Sequence, residues 1–512
     1  MGLEMPIRSI AYISIVLLLA IALGLRAWGA NFGLPAYVYH PDEPAVVERA
    51  AGILRTGNFN PEWFHYPSGY IYTQTAAYIA YFLWGAVRGN FAFVPEYTLP
   101  QFYLVGRLTT AIFGTLTVLV VYLIGQKAYR TRVGLTAAML STFSYLSIVH
   151  SHYATTDVPS SFWVALCTLF ALLILQRSQM IWYVLAGLTA GLAASTKYNA
   201  GLVVLLIPLA HVMSTTWGEW GYLDRRLVLG LLAAAGGFLI GTPYALLDLP
   251  TFLNGLGFEL YHYNTYQPGY TGQSGMWYLR AIFTSADAPL GLTWAGGLVY
   301  ALVRPAKHTI LFLAFALLYY LGLARAAVHF ERNLLPLLPI LSVLAAAWLN
   351  SLADWVESHR ATQMRLVLIA AIGVSMIPPT VASLLFDWSI TRMDIRPAAG
   401  DWVSRNIPVG AKIAIEHYSI PFPREKYEVV DILRLWDYDA AYFSEQNFDY
   451  VIVSNGGWLT RPKELGVFRD MRSRHLLLKE FSPEGVPSLV TAGYPTVAEY
   501  HFARVWIFQV ER

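Results

Sequence analysis

The chain has 512 residues, of which 56% are hydrophobic and only 13% charged. A water-soluble globular chain carries roughly 25% charged residues, so a soluble protein of this size is excluded, as are disordered, collagen-like and coiled-coil chains. An integral membrane protein remains. The net charge of +3 says little about partners, and no basic run suggests nucleic acid, which is not expected as one. The single cysteine, Cys167, lies in an apolar segment and excludes an intrachain disulfide or a cysteine-based metal site. Tyr and Trp are abundant, at 33 and 16. They suit both the bilayer interface and stacking on sugar rings.

The first apolar run, about 10–30, follows Arg8 and is read as a first membrane helix with a cytoplasmic N-terminus rather than a cleaved signal. Further apolar runs lie near 68–88, 101–126, 134–150, 159–176, 180–195, 199–213, 227–241, 289–304, 309–325, 333–350 and 366–386. Five short basic loops, at Lys127/Arg130/Arg132, Arg177, Arg225/Arg226, Arg304/Lys307 and Arg360/Arg365, are cytoplasmic by the positive-inside rule. That assignment works only if 68–88 does not cross. Its tyrosines and Trp84 suit a helix lying in the interface. The expectation is about eleven transmembrane helices, interfacial helices in the first external loop, and an external C-terminus. From about 387 the pattern changes to that of a soluble domain. Helical stretches (Pro397–Asn406, Leu465–Arg474) alternate with strand-like runs at Lys412–Glu416, Tyr450–Ser454, Leu476–Phe481 and Val505–Val510. The chain thus divides into a transmembrane domain over 1–386 and a small extracytoplasmic α/β domain over 387–512.

The polar residues of interest fall on one side of the membrane. Asp42 and Glu43 lie in His40-Pro41-Asp42-Glu43-Pro44, and Asp157 in Thr155-Thr156-Asp157-Val158-Pro159. Each reads equally as a helix N-cap with proline in the first turn or as a carboxylate placed at a helix mouth for chemistry. Arg107 sits inside a spanning helix, where charge costs roughly 2.5–3.5 kcal/mol at mid-bilayer. It needs an anionic partner, either a helix carboxylate or a substrate. Lys197 interrupts an apolar hairpin, and Arg332 precedes a Leu- and Pro-rich helix start. Each is an interface anchor or salt-bridge partner on one reading and a phosphate ligand on the other. Carboxylates and cations on one external face suit a lipid-linked phosphate substrate. The cations would hold phosphate and a carboxylate would deprotonate an attacking hydroxyl.

At these residues the sequence resembles the polyprenyl-phosphate-dependent GT-C glycosyltransferases, and most of all the protein O-mannosyltransferase and aminoarabinose transferase superfamily, over about 1–386. Pro41-Asp42-Glu43 with Ala50, His65-Tyr66-Pro67-Ser68-Gly69-Tyr70, Arg107-Leu108 with Ala111 and Gly114, Thr156-Asp157-Val158-Pro159, Lys197, and Arg332 through Pro339 are similar to the family's motifs and keep their order. Tyr66 stands where many members have Lys or His, Ser68 replaces a second proline, and His152 stands where Arg is common.

The resemblance implies an inverting transfer from a polyprenyl-phosphate-linked sugar to an acceptor hydroxyl on the extracytoplasmic face of a plasma membrane of prokaryotic type. Asp42 takes the general-base place, with Glu43 and Asp157 orienting. Arg107, Lys197 and Arg332 take the donor phosphate, and His65, Tyr66 and His152 are substrate contacts. The partners implied are the lipid donor, membrane lipids and a glycan, lipid or protein acceptor. A divalent cation, Mg²⁺ or Mn²⁺, between Asp42 and Asp157 is compatible with carboxylate ligands, and related oligosaccharyltransferases resemble that pattern. Rival readings are a ligase or oligosaccharyltransferase using a diphosphate-linked glycan, a lipid-sugar transporter, and a non-catalytic scaffold presenting the tail.

Overall fold

The computed structural model describes residues 4–35, 40–90, 99–214, 224–265, 274–359, 362–392, 394–416, 419–432, 437–454, 462–483, 485–492, 494, 497, 501, 502 and 504–511. They form two compact units, one of residues 1–30 and 42–384, the other of residues 31–41 and 385–512.

The first unit is helical. Its elements are α1 (Glu4–Ala27), α2 (Glu43–Thr56), α3 (Gly69–Val87), α4 (Leu99–Ala128), α5 (Thr131–Thr142), α6 (Tyr145–His150), α7 (Asp157–Arg177), α8 (Met180–Thr196), α9 (Leu206–Ser214), α10 (Arg225–Gly241), α11 (Tyr244–Leu247), α12 (Leu249–Asn264), α13 (Ser274–Thr284), α14 (Ala288–Val303), α15 (Lys307–Arg325), α16 (Leu338–Ser358) and, up to residue 384, α17 (Thr362–Ile390). Tight 3₁₀ segments, Tyr198–Leu205 and Glu331–Leu337, precede α9 and α16. Among the described residues six helices are long and apolar enough to cross a membrane, with three shorter apolar helices at Met180–Thr196, Tyr198–Ser214 and Ala288–Val303. The protein is an integral membrane protein.

The run at 134–150 does not make one helix. It breaks after α5, and both broken ends are held by charge. Arg26, fully buried at the end of α1, donates to the carbonyls of Ser141 (3.1 Å) and Thr142 (3.3 Å). Asp287, fully buried ahead of α14, accepts the amides of Tyr145 (2.9 Å) and Leu146 (2.8 Å). A cation on the last carbonyls of one helix and an anion on the first amides of the next satisfy groups that a helix end leaves bare.

Gly187 and Gly191 of α8 are one turn apart and face α10. A Cβ on Gly187 would strike the Gly230 carbonyl, and one on Gly191 the Ala234 carbonyl. The two backbones therefore touch directly, which is how small residues join helices where lipid supplies no hydrophobic drive.

The helix α3 is not among the six span candidates, and its interfacial orientation is tested by labelling. In a Cys167→Ala background, cysteines at the exposed positions Asn58 and Arg88 are expected to react with an impermeant thiol reagent from the same side of the membrane. Reaction from opposite sides would make α3 a crossing helix.

The second unit contains α18 (Ile395–Asn406), α19 (Ala440–Glu445) and α20 (Pro462–Arg474) with five strands: β1 (Lys412–Glu416), β2 (Glu428–Ile432), β3 (Tyr450–Ser454), β4 (Leu476–Phe481) and β5 (Val505–Gln509). The strand order is β2-β1-β3-β5-β4. Pairing is parallel for β1 with β2 and with β3, and antiparallel for β5 with β3 and with β4. Apolar clusters line both faces, one around Phe443, Val451 and Phe508, the other around Val403, Ile413 and Ile507. The α/β expectation therefore holds, with β2 as an added edge strand. Its burial alternates weakly, so its residues carry little of the apolar signal that marks the inner strands. Arg360, one of the basic loop residues, lies outside the described residues.

Candidate active site

The site is built from the ends of helices in the first unit. Asp42 occupies the N-cap position of α2, but its side chain caps nothing. Its Oδ2 instead accepts from Tyr66 Oη (3.2 Å) and Arg332 Nη2 (3.0 Å). Burial pushes the Tyr66 hydroxyl well above the usual phenol range, so it stays protonated and donates. Asp157 is the first residue of α7. It follows the N-cap residue Thr156 and turns its Oδ1 to Lys197 Nζ at 2.6 Å and its Oδ2 to Arg332 Nε at 3.7 Å. Lys197 leaves the helix at the end of α8 with extended backbone, φ −153° and ψ 126°, and its ammonium also donates to Asn333 Oδ1 at 2.9 Å. Asn333 in turn donates to Tyr278 Oη at 3.2 Å. Arg332 lies over the Phe330 ring at 4.0 Å. Four helix ends, those of α2, α7 and α8 and the turn before α16, thus deliver two carboxylates and two cations to one place. Each charge has an opposite partner, as burial of ions demands.

The two carboxylates differ in reach. The Asp42 side chain is 23% exposed and that of Asp157 only 3%. Asp42 is the one a substrate can meet, and Asp157 is a buried tie between Lys197 and Arg332.

Glu43 and Arg107, expected respectively as an orienting acid and a phosphate ligand, form a pair of their own. Arg107 Nε and Nη2 bind Glu43 Oε1 and Oε2 at 2.7 and 2.8 Å, and Arg107 Nη1 donates to the Ala30 carbonyl at 3.1 Å. Both side chains are fully buried, and Glu43 also accepts the Ala154 amide at 3.0 Å. Of the partners open to Arg107 in the sequence, the structure selects the helix carboxylate. The pair ties α2 and α4 to the segment ahead of α7.

His152 is likewise enclosed. Its Nδ1 and Nε2 face the carbonyls of Ile148 (2.9 Å) and Trp28 (3.0 Å). Burial lowers its pKa to about 4, so the neutral ring donates to one of them. His65 joins an aromatic stack outside the carboxylate cluster. It lies flat on Phe258 (4.0 Å between centroids) beside Trp63 (5.0 Å), and burial makes it less basic, with Arg49 and His262 adding to the effect.

Sequence reasoning passed over a cavity of about 370 Å³ beside this cluster. Tyr66 and Lys197 belong to both its wall and the cluster. Most of the remaining lining is apolar, from Leu202, Leu256, Leu260 and Leu323, with Glu259, Tyr263 and Arg325 among the polar groups. Several of these sit on α12 and α15, where nothing in the local spacing distinguishes them from ordinary helix residues.

A divalent cation does not fit the donor set. Asp42 and Asp157 already hold Arg332 and Lys197 where a cation would sit. Among the described residues no group of three or more His, Cys, Asp or Glu is placed to hold a metal.

Residues 103–243 match the family described as dolichyl-phosphate-mannose-protein mannosyltransferase. No curated protein sequence matches. Solved structures do. A crystal structure of the Archaeoglobus fulgidus oligosaccharyltransferase in its apo form matches with a TM-score of 0.56 at 13% identity, covering 93% of this chain and 74% of that one. ArnT from Cupriavidus metallidurans bound to undecaprenyl phosphate matches with a TM-score of 0.54 at 15% identity, covering 96% and 97%. The archaeal enzyme in complex with an inhibitory peptide and a dolichol-phosphate matches with a TM-score of 0.52 at 14% identity, covering 93% and 73%. This chain is therefore an integral membrane protein of the GT-C glycosyltransferase fold, and it resembles the protein O-mannosyltransferase and aminoarabinose transferase superfamily.

Proposed function

We propose that the protein is an inverting glycosyltransferase that moves a sugar from a polyprenyl-phosphate-linked donor to an acceptor hydroxyl on the extracytoplasmic face. The observation that carries this reading is the shared wall. A partly exposed carboxylate, Asp42, is held by Tyr66 and Arg332, and Tyr66 with Lys197 also borders a largely apolar cavity. An apolar cavity with a few convergent polar groups is the usual form of a small-ligand site, and here the apolar part suits a prenyl chain.

The acceptor oxygen attacks the anomeric carbon from the face opposite the phosphate. The C–O bond to phosphate breaks as the acceptor bond forms, and Asp42 takes the hydroxyl proton. Arg332 fixes the Asp42 carboxylate and, with Lys197, supplies positive charge near the departing phosphate. Asp157 is a positioning residue, acting through Lys197 and Arg332. Arg107 and Glu43 anchor the start of α2 and thereby Asp42. We assign the catalytic role to residues 1–386 and an acceptor-side role to 387–512.

The test supplies the purified protein in nanodiscs with mono- and diphosphate-linked forms of the same prenyl sugar. Transfer or slow hydrolysis of the monophosphate form alone supports the reading. Use of the diphosphate form alone replaces it with the oligosaccharyltransferase-like rival. Deletion of 387–512 is expected to spare donor hydrolysis and impair acceptor transfer. Equal loss of both, with the remaining fold intact, would place the tail in the active site.

A further inference from the structure

A carboxylate in a cavity read as a phosphate site calls for an explanation. Glu259 lies on α12, half-buried, and lines the cavity beside Lys197, Tyr66 and Tyr263. It is the single acidic residue among the described lining residues. Among the described residues no cation forms a direct ion pair with it: Lys197 binds Asp157 and Asn333, and Arg332 binds Asp42 and Asp157.

The charged and titratable groups that face it come from every neighbouring element. They are Asp42 at the N-cap of α2, Tyr66 of the loop after α2, Lys197 at the end of α8, Tyr198 just after it, Tyr263 of α12, Tyr319 and Arg325 of α15, and Arg332 before α16, with His262 on the same helix, α12. An ionised Glu259 would repel a phosphate entering the cavity it lines, whereas a protonated one offers it a hydrogen-bond donor.

We propose that Glu259 takes up a proton when a polyprenyl phosphate enters the cavity, and that its neutral carboxyl then donates a hydrogen bond to the phosphate. The inference rests on the donor reading of this cavity. Burial raises the Glu259 carboxyl to about 7, against the opposing pull of Lys197 and Arg332 and with help from Asp42. The group is therefore poised to change state on ligand entry near neutral pH.

The reaction gives this proton a use. The sugar-linked donor is a phosphodiester with one negative charge. Its product is a monoester whose second ionisation lies near 6, as for other phosphate monoesters, so the product carries close to two charges. Cleavage of the sugar–phosphate bond adds one negative charge to the cavity while Asp42 receives one proton from the acceptor. A neutral Glu259 meets the developing charge as a donor, where an ionised one would oppose it.

The experiment measures binding of undecaprenyl phosphate, and of uncharged undecaprenol as a control, to the full-length protein in nanodiscs at pH 6.5 and 8.5. If only the protonated form binds the phosphate, the dissociation constant rises about 25-fold between these values for a group titrating near 7. Glu259→Gln is expected to bind the phosphate lipid at both pH values about as tightly as wild type does at 6.5. Undecaprenol should show no such dependence. Calorimetry of the wild type at pH 8 in two buffers of different ionisation enthalpy should show uptake of close to one proton, without recourse to a variant.

A wild-type change under about threefold, an equal slope in Glu259→Gln or with undecaprenol, or no proton uptake overturns the role of Glu259 and leaves the donor reading standing. Failure of undecaprenyl phosphate to bind wild type at either pH overturns the donor reading, and this inference with it.

Discussion

Asp42→Asn is expected to lower sugar transfer by about 10²–10⁴-fold, the range that positioned general-base catalysis contributes, while undecaprenyl phosphate binding changes by less than about threefold. The amide keeps the shape of the carboxylate and still presents an oxygen to Tyr66 and to Arg332, which now bind Asp42 Oδ2 at 3.2 and 3.0 Å. The variant therefore removes the basic charge without emptying the site. The cost to folding should be small for two reasons. The Asp42 side chain makes no cap bond to α2, and its 23% exposure lets water compensate part of the lost ion pair. Steady-state transfer and equilibrium lipid binding on the same preparation decide the matter. Turnover near that of wild type would make Asp42 a tie for Arg332 and nothing more. Equal loss of lipid binding and transfer would move it from base to donor contact.

The positions of the reactive groups were more legible in the sequence than their partners. Asp42 and Asp157 stood out because each precedes an apolar run with proline close by, and the structure does place both at helix starts. Spacing along one chain says nothing about pairing across it. Lys197 and Asp157 are 40 residues apart, and Arg332 and Asp42 are 290 apart, so their ion pairs exist only once the helices have packed. The same limit applies to the break inside 134–150. Its apolar composition reads as one span, and what divides it is the charge of Arg26 and Asp287, 115 or more residues away. Glu259 and Asn333 show a related limit. In the sequence Glu259 offers only a salt bridge to Arg332, and Asn333 only its place beside Arg332 in a motif, whereas the cavity and the Lys197 ammonium give them their setting. In the tail, the inner strands β1 and β3 announce themselves by nearly continuous burial, whereas the edge strand β2 is mostly exposed and carries charge at Glu428 and Asp431.

Arg107→Ala is expected to be the most destabilising of the single substitutions at the motif residues. It removes three hydrogen-bonding nitrogens from a fully buried position and leaves the Glu43 carboxylate enclosed with, among the described residues, the Ala154 amide at 3.0 Å as its remaining hydrogen-bond partner. Breaking one half of a buried ion pair costs roughly 3–5 kcal/mol, because the remaining ion is uncompensated. Glu43→Gln should fall in the same direction by a smaller amount, since the amide oxygen can still accept from the guanidinium. Glu43→Leu combined with Arg107→Leu is expected to lose less stability than the sum of the two single changes. Replacing both ions removes the charge as well as the attraction, and buried pairs exchanged for apolar side chains are often close to neutral. Thermal unfolding in one detergent, followed by monodispersity, measures all six proteins, both single leucine variants and the wild type included, on a common scale. The family resemblance points the other way, to Arg107 as a ligand of the donor phosphate. On that view Arg107→Ala would unfold at the wild-type temperature and lose affinity for undecaprenyl phosphate but not for undecaprenol. The bidentate contact to Glu43, with no exposed surface on either side chain, favours the structural outcome: loss of the pair should free the start of α2, and transfer should fall because Asp42 is no longer held in place.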